Sequence, residues 1–238
     1  VSLYQKYRPR KFSEVVGQED VVGILRNQVR RGRIAHAYLF AGPSGTGKTT
    51  IARILATAAN CERPRGGEPC LKCQGCSASA WDVVEFDAAS YRGIDEIREM
   101  QTKALLAPIG KRKTYILDEA HMLTEPAFNA LLKFLEEPPP HMVLALCTTA
   151  PGRIPETVKS RCEYFTLKPL SPKAIAAKLE YIAKHERVEL APASLKFIAG
   201  MADGNMRRAE TMLEQVIYLD GGKPSHRKVV KFLQAKLI

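Results

Sequence analysis

The stretch GPSGTGKTT, Gly42 to Thr50, restricts the possible folds more than any other part of the chain. It satisfies the pattern G-x-x-x-x-G-K-[ST], and it sits where that pattern has meaning, between an apolar run and a helical pattern. Gly42, Gly45 and Gly47 let backbone N–H groups approach phosphate oxygens with no Cβ in the way, and Pro43, Ser44 and Thr46 complete the loop. The N-terminus of the following helix adds partial positive charge. Lys48 is expected to reach the β- and γ-phosphates of a nucleotide, and Thr49, beside Thr50, to offer an oxygen to Mg²⁺.

The flanking sequence agrees. Short apolar runs alternate with helical patterns: HAYLFAG (His36–Gly42), DVVEFDA (Asp82–Ala88), KTYILDEA (Lys113–Ala120), HMVLALCTTA (His141–Ala150) and CEYFTL (Cys162–Leu167) read as strands. KTTIARILATAAN and PAFNALLKFLEE (Pro126–Glu137) read as helices. That alternation predicts a parallel sheet with helices on both faces, and runs as apolar as VLALC suit its centre. YILDEAH delivers Asp118 and Glu119 to the carboxyl end of a strand, beside the phosphate loop. Asp118 is expected to hold Mg²⁺ and Glu119 to orient and deprotonate an attacking water, so hydrolysis is expected rather than binding alone.

From about Ser171 the pattern becomes purely helical. Ser171 is a plausible N-cap with Pro172 at the first helical position, and Ile175, Leu179 and Ile182 recur at helical spacing. APASLKFIAGMADG, NMRRAETMLEQVIYLDGG and SHRKVVKFLQAKLI continue the theme. The sequence therefore predicts a nucleotide-binding domain over 1–170 and a small all-helical domain over 171–238.

Four of the six cysteines fall within CERPRGGEPCLKCQGC, Cys61 to Cys76. Cys61, Cys70, Cys73 and Cys76 offer four thiolates in a short loop-like module, a set suited to tetrahedral Zn²⁺ with a structural role. An iron–sulfur cluster is the rival, because C-x₂-C-x₂-C also occurs in ferredoxins. Here the fourth cysteine lies upstream and no Cys-Pro follows. Cys147 and Cys162 read as packing residues.

Composition adds little until a partner is sought. The 238 residues carry a formal net charge of +11, a balance that attracts polyanions such as nucleic acid. No apolar run reaches the length of a membrane span and the first residues lack a signal-peptide core, so a cytoplasmic protein without membrane contact is expected.

Taken together, YQKYRPRKFSEVVGQED, the phosphate loop, DEAHMLTEPAFNALLKFLEEPPPHMVLALCTTAP, IPETVKSRCEYF and GNMRRAETML resemble the AAA+ ATPases of clamp loaders. The likeness is strongest to the gamma/tau subunits of bacterial DNA polymerase III, and it covers essentially the whole chain. The resemblance implies a five-stranded AAA+ sheet domain with a zinc-binding insertion at 61–76 and a helical lid. It places Tyr7, Arg8, Pro9 and Val16 near the adenine, and sensor 1 at Thr149 or its neighbour Thr148. Arg161 of SRC becomes an arginine finger acting in trans, and Arg207 becomes sensor 2. Arg92, Arg98 and Lys133 are the candidate contacts to primer–template backbone. The implied function is ATP-driven opening and loading of a sliding clamp within the polymerase holoenzyme. The implied cofactors are ATP, Mg²⁺ and Zn²⁺; the partners are the other loader subunits of a pentamer, the clamp and primer–template DNA. On this resemblance the family's collar domain is expected to lie outside these 238 residues. Two other readings compete: a Holliday-junction motor, which shares the phosphate loop but not the cysteines, and a non-hydrolysing DNA-binding scaffold.

Overall fold

The computed structural model describes residues 1–235. Along the chain, α1 (Leu3–Lys6) and α2 (Glu19–Arg31) precede β1 (Ala37–Ala41). Then α3 (Lys48–Asn60) and α4 (Gln74–Asp82) lead to β2 (Val83–Asp87), and α5 (Ile94–Ala104) leads to β3 (Lys113–Asp118). α6 (Glu125–Glu136), β4 (Met142–Thr148), α7 (Glu156–Lys159) and β5 (Glu163–Thr166) follow. The rest is helical: α8 (Pro172–His185), α9 (Pro192–Met201), α10 (Met206–Val216) and α11 (His226–Gln234). The final positions of the last helical pattern, 236–238, lie outside the described residues.

Two compact units emerge, the larger comprising Pro9–Gly42 and Lys48–Leu167. Its centre, among the described residues, is a five-stranded sheet in the order β2-β3-β4-β1-β5 with every pairing parallel. All five strands fall where the sequence places them. β4 and β1 are buried along their whole length, which is why their runs are continuously apolar. Side chains alternate between the two faces. Leu39, Tyr115, Leu117, Leu144 and Leu146 join Ile97, Met100 and Leu131 of α5 and α6 on one face. Tyr38, Phe40, Ile116, Val143, Ala145 and Cys147 join Leu25 of α2 and Ile51 and Leu55 of α3 on the other. Each such buried aliphatic side chain contributes about 1.5–3 kcal/mol. Strand order sets the chemistry: β4 lies between β3 and β1, so the ends bearing Asp118, Thr148 and Gly42 are neighbours.

The smaller unit contains Val1–Arg8, Pro43–Gly47 and the chain from Lys168 onward. Its core is Ile175, Leu179 and Ile182 of α8 against Leu195, Ile198, Leu213 and Val229 of the later helices. Ser171 caps α8, its hydroxyl accepting the Ala174 N–H at 3.2 Å. Asn205 caps α10 in the same way through the Arg208 N–H at 3.0 Å.

Candidate functional site

Lys48 and Thr49 stand at the first turn of α3. Thr49 Oγ1 donates to Asp118 Oδ2 at 2.8 Å, which brings together the two oxygens expected to share a divalent cation. Lys48 is 6% exposed, and its Nζ donates to the Gly42 carbonyl at 2.9 Å. Burial pulls the Lys48 pKa below its ordinary value, while Glu119 and Asp118 nearby act to raise it. The Gly42 N–H in turn donates to the Thr148 carbonyl at 3.1 Å, tying the start of the loop to the end of β4. A side chain at Gly42 is impossible without rearrangement, since a Cβ would lie 2.5 Å from the Leu167 carbonyl oxygen.

Glu119 follows Asp118 in a left-handed conformation at φ +48° and ψ +43°. A non-glycine residue held there stores strain of roughly 1–3 kcal/mol, a cost that tends to gather at functional positions. The turn aims its carboxylate at the end of β4. Thr149 Oγ1 donates to Glu119 Oε2 at 2.9 Å, with the Thr149 N–H at 3.4 Å from the same oxygen. Thr148 is fully buried and points elsewhere, its Oγ1 3.1 Å from His121 Nδ1. Of the two threonines, Thr149 is therefore the one that touches the acid. His121 is a participant that the strand-and-acid pattern did not mark out.

Pro43–Gly47 belongs to the smaller unit. Thr46 Oγ1 donates to the Pro43 carbonyl at 2.8 Å, closing a turn. Gly45 has φ +71°, and a Cβ there would come within 1.8 Å of Asn205 Oδ1. The Met206 N–H donates to the Gly45 carbonyl at 3.1 Å. Arg207, one residue on, lies with its guanidinium carbon 4.6 Å from the centre of the Tyr4 ring.

Tyr7 and Arg8 also belong to the smaller unit, whereas Pro9 and Val16 belong to the larger. Tyr7 Oη donates to Glu186 Oε1 at 2.5 Å, and its ring meets Tyr181 edge-on. Desolvation and the Glu186 carboxylate push the Tyr7 phenol up to about 12. Arg161 donates through Nη2 to Glu136 Oε1 at 2.7 Å and through Nη1 to the Thr157 carbonyl at 2.8 Å. Both partners are part-exposed, so the pair is worth about 1 kcal/mol at most. Arg98 and Lys133 line one surface groove with Gln101 and Asn129, while Arg92 sits in the turn before α5 and its carbonyl accepts the Thr124 N–H at 3.0 Å.

In the cysteine module, the sulfurs of Cys61, Cys70, Cys73 and Cys76 all lie within 4.8 Å of one another. The Cys70–Cys76 and Cys73–Cys61 separations are 3.9 Å and 4.0 Å. Four thiolates at about 2.3 Å from one tetrahedral ion would be about 3.8 Å apart, so the cluster could hold a metal ion with little adjustment. Backbone amides support it: the Glu62 and Cys76 N–H groups both point at Cys73 Sγ at 3.4 Å, and the Cys70 N–H at Cys61 Sγ at 3.3 Å. These donors, the Glu62 amide first, pull the Cys73 thiol down to about 6, whereas desolvation pushes Cys61 and Cys76 up. The module is anchored by a residue with no sequence signal. Glu68 accepts the Phe12 N–H at 2.7 Å and the Ser13 N–H at 2.9 Å, and pairs with Arg26 at 3.3 Å.

The family model described as DNA polymerase III, delta subunit, matches residues 17–171. The chain belongs to that family. A second model, the RCF1/5-like AAA+ ATPase lid domain, matches residues 177–217. Among curated relatives in this polymerase III family, the tau subunit of Bacillus subtilis is 46% identical over 225 residues, 92% of this chain and 40% of the relative. The gamma/tau subunit of Mycobacterium tuberculosis (strain H37Rv) is 42% identical, over 91% of this chain and 39% of the relative. The tau subunit of Escherichia coli is also 42% identical, over 97% and 37%. The resemblance to gamma/tau subunits is thereby borne out, and the chain spans about two fifths of the length of these relatives. In fold it is similar to the RuvB Holliday-junction branch-migration motor of Thermotoga maritima, with a TM-score of 0.74 and 21% identity over 96% of this chain and 72% of that one. No helix among the described residues is long and apolar enough to cross a membrane.

Proposed function

We propose that this chain is the ATPase portion of a bacterial replicative clamp loader, which uses ATP binding and hydrolysis to open a sliding clamp and place it on primer–template DNA. The observation that carries the reading is the convergence of Lys48, the Thr49–Asp118 pair and the Glu119–Thr149 pair at the carboxyl ends of β1, β3 and β4. Backbone N–H groups of the loop and the α3 N-terminus cradle the phosphates, and Lys48 supplies the charge on the terminal ones. Mg²⁺ held by Thr49 and Asp118 would neutralise charge developing on the transferred phosphoryl group. Glu119, fixed through one oxygen by Thr149, orients water and takes its proton. Arg161 offers a planar, permanently charged donor to a neighbouring subunit's γ-phosphate, and Arg207 acts on the chain's own. Tyr7, Arg8, Pro9 and Val16 contact the base, and Arg92, Arg98 and Lys133 track DNA phosphates without reading sequence.

Zinc is the metal we assign to Cys61, Cys70, Cys73 and Cys76. The four-thiolate set, the separations near 4 Å and the amides donating to sulfur fit a closed structural site. Other loader subunits, the clamp and primed DNA are the partners of this reading, and the cytoplasm is its compartment.

The test is Glu119→Gln in the full-length protein assembled with its partner subunits. ATP affinity should hold while turnover falls by at least about a hundredfold, the scale of losing a general base. Turnover at the wild-type rate would show that Glu119 is not the base.

A further inference from the structure

His121 sits where the proposed base is controlled. The left-handed turn at Glu119 folds Ala120–Met122 into one turn of 3-10 helix, and this brings the His121 ring back over the carboxylate two residues earlier. The ring is largely buried, its side chain 11% exposed. Its Nδ1 lies 3.3 Å from Glu119 Oε2 and 3.1 Å from Thr148 Oγ1. That hydroxyl oxygen already accepts the Ala150 N–H at 3.0 Å.

One nitrogen thus faces two oxygens. A bare Nδ1 could accept the Thr148 hydroxyl but would set its lone pair against those of the carboxylate, so the Glu119 contact favours the tautomer in which Nδ1 carries the hydrogen. The tautomer follows from the groups the ring faces. Glu119 Oε2 then has the Thr149 hydroxyl donating to it from the end of β4 and the polar Nδ1–H of His121 3.3 Å away, from the turn after β3. These two groups beside one oxygen hold the plane of the carboxylate and leave the second oxygen as the one to take a proton.

We propose that His121 is a positioning residue for Glu119, holding the carboxylate plane and tying it through Thr148 to the buried end of β4. The inference deepens the reading of Glu119 as the base and rests on it. A carboxylate free to rotate would still bind no worse to water on average, but it would lose the aligned geometry on which proton transfer depends.

The experiment measures steady-state ATP turnover of the full-length protein in its assembled complex. His121→Ala should lower kcat roughly ten- to hundredfold, the effect of misplacing a reacting group by about 1 Å. KM for ATP should stay within about twofold, because no ground-state contact to the nucleotide is removed. His121→Asn should recover most of the loss, since the Asn amide nitrogen can occupy the place of Nδ1 and donate to the same oxygens. Adding His121→Ala to Glu119→Gln should lower turnover no further than Glu119→Gln alone. A kcat unchanged in His121→Ala, or an Asn variant as poor as Ala, overturns the proposal. A raised KM at constant kcat also overturns it, by making His121 a binding residue. If Glu119→Gln is inactive while His121→Ala is normal, only the positioning role fails; if Glu119→Gln is fully active, both readings fall.

Discussion

Glu68 is the residue whose removal should do the most specific damage. It lies in the cysteine module, yet its carboxylate is the acceptor for the Phe12 and Ser13 amides, more than fifty residues earlier. Phe12 is 1% exposed, so in Glu68→Ala its N–H loses its partner in a buried setting, at about 1.5–3 kcal/mol for a bond to a charged acceptor. Ser13 is exposed, so water replaces most of its bond and adds only about 0.5–1 kcal/mol. The sum, roughly 2–4 kcal/mol, corresponds to a thirty- to thousandfold rise in the opening equilibrium of this segment. Amide hydrogen exchange read by mass spectrometry over residues 9–16 measures that rise directly. Exchange in the helix after the phosphate loop should be unchanged. Because Pro9 and Val16 are proposed base contacts, ATP affinity should weaken while Lys48 stays in place. Unaltered protection over residues 9–16 in Glu68→Ala would refute the coupling, and so would an equal loss across the whole sheet unit.

Lys48→Ala should abolish ATP binding, measured with a fluorescent analogue, because it removes the side-chain charge on the terminal phosphates. Elemental analysis should find about one zinc and no iron per chain, and chelation should raise exchange around Cys61–Cys76 and over residues 9–16 before it affects residues 42–50. Glu210, 5% exposed, has its carboxyl pushed from 4.5 up to about 7 by burial, partly offset by Lys178. The folded state holds this proton more tightly than the unfolded one, so stability is greatest below about 4.5 and falls as pH rises through about 7. Glu210→Gln should therefore stabilise by up to about 3 kcal/mol at pH 8 and by almost nothing at pH 4, read from denaturant unfolding at both.

Much of this molecule was legible in its sequence, for identifiable reasons. The strands announced themselves because β1 and β4 are covered on both faces and are apolar almost throughout, Thr148 at the end of β4 being the polar exception. The clustering of Lys48, Asp118 and Glu119, and of the four cysteines, was legible because the chemistry proposed for them requires fixed local spacing. α4 was not. Its helix QGCSASAWD has no apolar stripe and is capped by Cys73, whose sulfur accepts the Cys76 N–H at 3.4 Å, so the module rather than amphipathicity holds it. Asp82, read as the start of a strand, instead ends α4 and accepts the Ile109 and Gly110 amides at 2.9 Å and 2.6 Å. Glu68 and His121 escaped for a related reason. The partners of Glu68 are distant in sequence, and those of His121 depend on a left-handed turn at a glutamate, which no propensity favours.

The proposal that this chain works as an ATPase within a clamp-loading assembly meets its sharpest test in a subunit-mixing measurement. Full-length Arg161→Ala and Lys48→Ala proteins are each assembled with the other loader subunits, alone and mixed, and ATP hydrolysis is followed with clamp and primed DNA present. Arg161→Ala alone should bind ATP normally yet lose stimulated hydrolysis on the order of a thousandfold, the contribution of a finger supplied in trans. Mixing should restore activity at junctions that pair an intact phosphate loop with an intact neighbouring Arg161. Hydrolysis indifferent to clamp and DNA in the wild type, or no recovery on mixing, would contradict the account.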